Sequence, residues 1–360
     1  MELNINRRQF IAGGTVVAAG AALAGLAGCS SDGGSSSAAS SAATSEVAAP
    51  EKLIFAWEPS NSGESYEAMR DAMAEAIAEG AGVPCEPMTT TDYNVTIEAL
   101  SSGQAHIASL GASEYVEIHE RNPKIEVAFV LSDKEGKLNP VSYYSQILCR
   151  EGEESKYQNA DGTFNPESLR GEKYSFVSLS STSGYVIPAT IFKKQFGEDS
   201  IDVFAEGGQF FDEVVMSTSQ PLSVYQVASG NVNLCSCDNT SASAAYNVVS
   251  GENGEVGTVY EVKEGLEGEL ADWAGARLVC IESYPVPAVP FCINTEYVPE
   301  DMVKAITDYM TSDEVANNPE VFVDPKNPSH DSKYKKSSDE ICFVAADDSY
   351  YDDYRELVGE

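Results

Sequence analysis

The chain has 360 residues, with 57 acidic side chains against 22 basic ones and a net charge of −35. Such a surface repels nucleic acid and anionic lipid, which excludes nucleic acid as a partner. The about 310 residues that follow the leader could build one large domain or two lobes.

The first thirty residues stand outside the fold. Arg7-Arg8-Gln9-Phe10-Ile11 is a twin-arginine pattern, followed by an apolar run of small residues from Ile11 to Leu26. Asn6 stands where that pattern usually has Ser or Thr, and Ala12 where it often has Lys. Export by the general route therefore stays open. Leu26-Ala27-Gly28-Cys29 closes the segment and resembles the lipobox of bacterial lipoproteins. That resemblance implies a signal peptide over 1–28 and a lipidated Cys29 at the mature N-terminus. It also implies an anchor to the outer face of the cytoplasmic membrane. The apolar run is too short and too rich in Gly and Ala for a span. From 29 to 50 the chain is nearly all Ser, Ala and Gly. Such a segment cannot bury enough apolar surface to fold, and acts as a leash of roughly 25 Å reach. No later segment has the length and apolarity of a span.

The pattern then alternates strand and helix. Residues 53–57 predict a strand, and 63–79 an amphipathic helix with Met69, Met73, Ala76 and Ile77 on one stripe. Cys85 falls in a short strand, and Asp92 caps a helix that runs to Leu100. Residues 107–110 predict a strand, Gly111-Ala112-Ser113 opens a helix, and 125–131 is a strand again. At 143–148 an extended run restarts the pattern. Strand 174–177, a helix over 185–192, a helix near 222–229, strand 232–234 and a helix from Ser241 follow. Residues 276–280 and 289–293 predict two more strands. The polar stretches 151–168 and 322–340 predict loops. This rhythm indicates doubly wound, mostly parallel sheets in two lobes with a cleft between them.

Between strand 174–177 and its helix stands Ser181-Thr182-Ser183-Gly184. A hydroxyl-rich turn with Gly at a helix start brings hydroxyls and unpaired backbone N–H groups to the positive end of the helix dipole. That chemistry suits an anion. The same residue types are also ordinary helix caps. The acidic surface works against an anionic ligand at long range, so short-range hydrogen bonds must supply the affinity.

Seven cysteines follow Cys29, an odd number in a compartment that permits disulfides, and their pairing is open. Cys235 and Cys237 share one face of a strand, poor geometry for bridging each other. His106, His119 and His330 are scattered, and no ligand spacing for a metal appears. No cofactor motif is present.

From about residue 52 onward the chain resembles the phosphonate, phosphite and phosphate-binding proteins of ABC transporters. Ser181-Thr182-Ser183-Gly184-Tyr185-Val186-Ile187-Pro188 matches that family's most specific motif. Supporting matches are Thr91 to Leu100 with Gly103-Gln104, Leu110 to Tyr115, Ser142 to Ser145, Ser229 to Asn233, and an ending from Phe343 to Leu357. The resemblance implies the two-lobed type II periplasmic-binding-protein fold. Lobe 1 would comprise 51–142 and 290–360, and lobe 2 residues 143–289. It implies that Ser181, Thr182, Ser183 and Gly184 grip a tetrahedral oxyanion, with Tyr93 and Tyr143 lining the cleft. Gln220 stands where the family often has a His. Relatives that bind aminophosphonates clamp the ammonium with carboxylates. Here the corresponding positions read Thr240 and Val289, with Asp238 the alternative to Thr240. The usual clamp is missing, which favours a ligand without an amine.

These readings make the chain an exported solute-binding lipoprotein delivering an oxyanion to an ABC permease. A same-fold binder of sulfonates or other organic anions, and a sensory module without transport, are the alternatives. An enzyme with Ser183 as nucleophile is disfavoured. No His or Lys stands near the turn in sequence, and no G-x-S-x-G elbow is present.

Overall fold

In the computed structural model the described residues are 47–61, 63–132 and 135–359. The signal peptide, the lipidation site Cys29 and most of the leash lie outside them.

Two sheets organise the chain. The first contains β1 (Leu53–Trp57), β2 (Cys85–Thr89), β3 (Ile107–Ser109), β4 (Ile125–Leu131), β12 (Pro290–Asn294) and β13 (Phe343–Ala345). Its strand order is β13-β4-β12-β3-β1-β2. The second contains β5 (Tyr143–Arg150), β6 (Lys173–Phe176), β7 (Glu213–Met216), β8 (Leu234–Asp238), β9 (Tyr246–Ser250), β10 (Val259–Val262) and β11 (Arg277–Val286). Its order is β7-β6-β8-β5-β11-β10-β9.

Each sheet is buried on both faces, as its apolar strands require. In β1, Leu53, Phe55 and Trp57 join one core cluster with Met69, Met73 and Ile77 of helix α1 (Glu67–Ala81). Ala56 points the other way, into a cluster with Leu100 of α2 (Tyr93–Ser101) and Tyr115 of α3 (Ala112–Arg121). In the second sheet, Tyr174 and Phe176 face α4 (Ile187–Phe196), while Cys235 and Cys237 face α5 (Gln220–Ala228). The seven described cysteines are unbridged, five of them buried. They act as small core residues.

Both sheets are mixed. β1 pairs in parallel with β2 and β3, and β6 with β7 and β8. β12 enters the first sheet antiparallel to β3 and β4. The antiparallel partners arise where the chain crosses between sheets. β5 leaves the first sheet and β11 returns toward it, paired from Tyr143 with Val286 to Arg150 with Leu278.

Local differences from the sequence reading have physical causes. The helix expected from Ser241 is a single tight turn, 241–244, and Tyr246-Asn247-Val248-Val249 then forms edge strand β9. Tyr and Val favour the extended state once a partner strand, here β10, is available. The strand expected at 232–234 is shifted to β8, which carries Cys235 and Cys237. Helices α6 (Glu300–Met310) and α7 (Asp313–Ala316) lie where no element was expected. Ser312 caps α7 by accepting the Val315 N–H, a signal present in the sequence. A last helix, α8 (Asp352–Val358), ends the chain. No helix among the described residues is long and apolar enough to cross a membrane.

Candidate functional site

A cavity of about 30 Å³ opens where the ends of strands from both sheets meet. Clefts of open α/β sheets form at such strand ends. A water needs roughly 10–15 Å³ measured this way, so the cavity suits a group of a few heavy atoms.

One wall comes from the second sheet and is built on the turn after β6. Ser181 caps the turn by accepting the Gly184 N–H at 3.2 Å. The first turn is wide, because the Val186 N–H reaches Ser181 O and the Ile187 N–H reaches Thr182 O. Pro188 has no N–H to offer the Gly184 carbonyl. That carbonyl instead accepts the Val177 N–H at 3.2 Å, which ties the turn to its strand. Only glycine fits at 184, since a Cβ would lie 2.5 Å from the Val177 side chain and 2.9 Å from Ser181 Oγ. The N–H groups of Thr182 and Ser183 have no partner among the described residues. They sit at the positive end of the helix dipole.

Gln220 organises the hydroxyls. Its Oε1 accepts the Asp238 N–H at 2.9 Å, which fixes the orientation of the amide. Its Nε2 then donates to Ser181 Oγ at 3.4 Å and to Ser183 Oγ at 3.3 Å. Both hydroxyls are acceptors in these bonds, so their own protons are left for another partner. Gln220 owes its position to Thr218, the one described non-glycine residue with positive φ, at 67°. That strained turn leads into the Ser219 cap of α5, and such strain concentrates at functional sites.

The opposite wall comes mainly from the first sheet: Glu58 after β1, Ser60, Tyr93, and Gly111 with Glu114 after β3. Tyr93 OH and Ser60 Oγ are 2.5 Å apart, and Ser60 Oγ accepts the Gln220 N–H at 3.1 Å. Ser113 spends its proton on Ser180 O at 2.6 Å. Thr182 Oγ1 accepts the Ser113 N–H at 2.9 Å, and its own proton is shared between Ser113 Oγ at 2.8 Å and Glu114 Oε2 at 3.2 Å. The Thr182 hydroxyl thus fastens the two walls together. A Cβ on Gly111 would run into Thr182 Oγ1 and Glu114 Oε2.

Two buried carboxyls dominate the electrostatics of this wall. Burial, and secondarily the proximity of Glu114, holds Glu58 well above the usual carboxylate range. Burial pushes Glu114 up to about 8. Glu114 is 1% exposed, and its Oε1 has no hydrogen-bond partner. A protonated carboxyl can donate to an anion instead of repelling it. Lys333 is the cation of the cavity, and faces the field of Asp238 and Glu58. Burial lowers its pKa. Asp238 Oδ1 accepts the N–H groups of Thr240 at 2.7 Å, Ser241 at 2.5 Å and Ala242 at 3.3 Å, so it caps the turn at 241–244.

Of the residues expected from sequence, Ser181, Thr182, Ser183, Tyr93, Tyr143 and Gln220 all line this cavity. Gly184 does not line it and shapes the turn from behind. Tyr143 lies beside Ser183, and burial raises the pKa of both tyrosines, which keeps them neutral donors. Thr240, Val289 and Asp238 line the cavity as well. Glu58, Ser60, Glu114 and Lys333 were missed. The first three follow strand ends, a signal the sequence contained. Contrary to the expectation that no Lys stands near the turn, the fold brings Lys333 into the same cavity as Ser181, Thr182 and Ser183. Among the described residues no His, Cys, Asp and Glu cluster could hold a metal ion.

Two mixed α/β sheets with a polar cavity at their meeting strand ends define a two-lobed periplasmic-binding-protein fold. The solved structures agree. A binding protein component of an ABC phosphonate transporter from Pseudomonas aeruginosa is 15% identical, with TM-score 0.57 and 85% of each chain covered. PhnD1 from Prochlorococcus marinus, solved with methylphosphonate, is 14% identical with TM-score 0.58, over 85% of this chain and 97% of that one. XAC2383 from Xanthomonas citri, bound to ATP, is 13% identical with TM-score 0.51, over 86% and 96%. No curated protein matches the sequence. Residues 55–351 match the family of periplasmic substrate-binding proteins of ABC phosphonate transporters, and the chain belongs to that family. Residues 4–24 match the twin-arginine translocation signal, in keeping with export.

Proposed function

We propose that this substrate-binding component captures a phosphonate-class oxyanion in the cavity between its sheets. In this reading Ser181 and Ser183 donate hydroxyl protons to the ligand oxygens, joined by the N–H groups of Thr182 and Ser183. Tyr93 and Tyr143 add phenolic donors, and Lys333 supplies the counter-charge. The reading is supported by the Gln220 amide, which is oriented by the Asp238 N–H and donates to both serine hydroxyls, leaving their own protons for another acceptor. Each charge-assisted bond contributes roughly 1.5–3 kcal/mol. Three to five of them, less ordering and desolvation, suffice for about −8 kcal/mol, a micromolar Kd.

The residues 51–142 with 290–360 act as one lobe and 143–289 as the other, closing over the ligand by bonds such as Ser113 to Thr182 and Gln220 to Ser60. Cys29 carries the lipid that holds the protein at the outer face of the cytoplasmic membrane, beside its permease. The lipobox-like Leu26-Ala27-Gly28-Cys29 directly after the export signal supports this. The protein does no chemistry on its ligand.

A thermal-shift panel of phosphite, methylphosphonate, phosphate, sulfate and methanesulfonate tests the ligand class. A ligand at 100 times its Kd stabilises the fold by about 2.7 kcal/mol. Stabilisation by the phosphorus oxyanions is expected. Stabilisation by methanesulfonate alone would move the protein to the sulfonate class.

A further inference from the structure

Glu114 walls two spaces at once. It lines the ligand cavity, and it also lines a crevice of about 170 Å³ between α2 and α3. Asn94 and Glu98 of α2 and Glu117 and Arg121 of α3 line that crevice and are exposed, so it opens to solvent. The crevice therefore brings water up to the same buried side chain that a ligand in the cavity would face.

The Glu114 carboxyl is poorly served as an anion. Its Oε1 has no hydrogen-bond partner among the described residues. Its Oε2 has the Thr182 hydroxyl at 3.2 Å, but that proton is shared with Ser113 Oγ. Across the cavity stand Glu58, Asp238 and Lys333, and the lysine faces Asp238 and Glu58. In the crevice Arg121 pairs with Glu117, and Glu98 adds a further negative charge. Burial keeps the neighbouring Tyr93, Tyr143 and Cys292 neutral. A buried carboxylate without a paired cation is costly, and an anion placed beside it raises the cost.

We propose that Glu114 is a proton-linked binding residue, which on capture of the oxyanion takes up one proton from solvent through the α2–α3 crevice and donates it as a hydrogen bond from Oε1 to a ligand oxygen. The proton stays on Glu114, and no covalent bond to the ligand forms. The proposal rests on the oxyanion reading above and adds its dependence on pH. Without ligand, burial holds Glu114 at about 8. The field of a bound anion favours the acid form further. Well below pH 8 the acid is already protonated and capture takes up nothing there. Above pH 8 capture must draw a proton, so affinity falls as pH rises.

Calorimetric titration with methylphosphonate at pH 9, in two buffers of different ionisation enthalpy, counts the protons. An uptake of about half to one proton per ligand is expected. Ligand-minus-free infrared difference spectra at pH 9 should gain the C=O band of a protonated carboxyl, which neither a lysine nor the ligand can supply. E114Q should lose both the uptake and the band. Binding without uptake in the parent protein overturns the proposal, as does uptake without a carboxyl band. Uptake and band that persist in E114Q overturn it too, since the proton then sits elsewhere in the site. Failure of methylphosphonate and phosphite to bind at both pH 6 and pH 9 would instead remove the oxyanion reading beneath it.

Discussion

The two walls of the cavity are made in different ways. The wall of the second sheet is one short segment with its braces: Ser181 to Gly184, with Gln220 and Asp238 holding it. The opposite wall is gathered from afar, with Glu58, Ser60, Tyr93, Glu114 and Lys333 spread over more than half the chain. The first wall presents neutral donors and one acid, Asp238, while the second holds Glu58, Glu114 and Lys333. This division resolves the tension between an acidic protein and an anionic ligand. Bulk charge is set by exposed side chains, whereas the cavity sets its own charge through burial and one lysine.

The largest effect that can break this division is at Lys333. Lys333 is half-buried, and losing a hydrogen bond between charged partners costs about 1.5–3 kcal/mol of binding. Lys333→Met should weaken methylphosphonate binding by that amount in calorimetric titration, with the melting transition retained. A loss near zero would mean that the donor turn alone supplies the affinity.

A smaller effect sharpens the protonation of the second wall. Glu114 rises from 4.5 to about 8 in the folded protein. The folded state then binds a proton more tightly than the unfolded state. The resulting stability is complete below about pH 4.5, declines as pH rises toward 8, and is gone above it. One such group contributes a slope of at most about 1.4 kcal/mol per pH unit. Denaturant unfolding at pH 6 to 9 should show this slope reduced in Glu114→Gln relative to the parent. Equal slopes would mean that Glu114 is ionised in the fold, and that the second wall repels anions.

The contrast between the walls also explains what was legible in the sequence. The donor turn is local, so strand, hydroxyls, Gly184 and Pro188 stand together in order. Tyr93, Tyr143 and Gln220 came into view only through family likeness, and all three line the cavity. Glu58 and Glu114 follow strand ends that the sequence showed, but in so acidic a chain nothing marks these two carboxyls as buried. Lys333 was hidden further, within a polar stretch whose course is fixed by long-range packing of Phe322 and Tyr334 on Phe343. In the fold, β1 to β4 and α1 to α3 were readable from periodicity. Edge strand β9 and its neighbour β10 were not, because their extended state depends on each other and on β11. Helix α6 was passed over, although its buried Met302, Ile306 and Met310 repeat every four residues.

The central claim is that the serine hydroxyls of the turn hold the ligand's oxygens. Calorimetric titration of Ser183→Ala with methylphosphonate tests it most directly. Loss of one charge-assisted bond should weaken binding by about 1–3 kcal/mol, roughly a 5- to 150-fold rise in Kd, with the melting transition intact. An unchanged Kd in a folded variant would contradict the account and return the turn to the role of a helix cap.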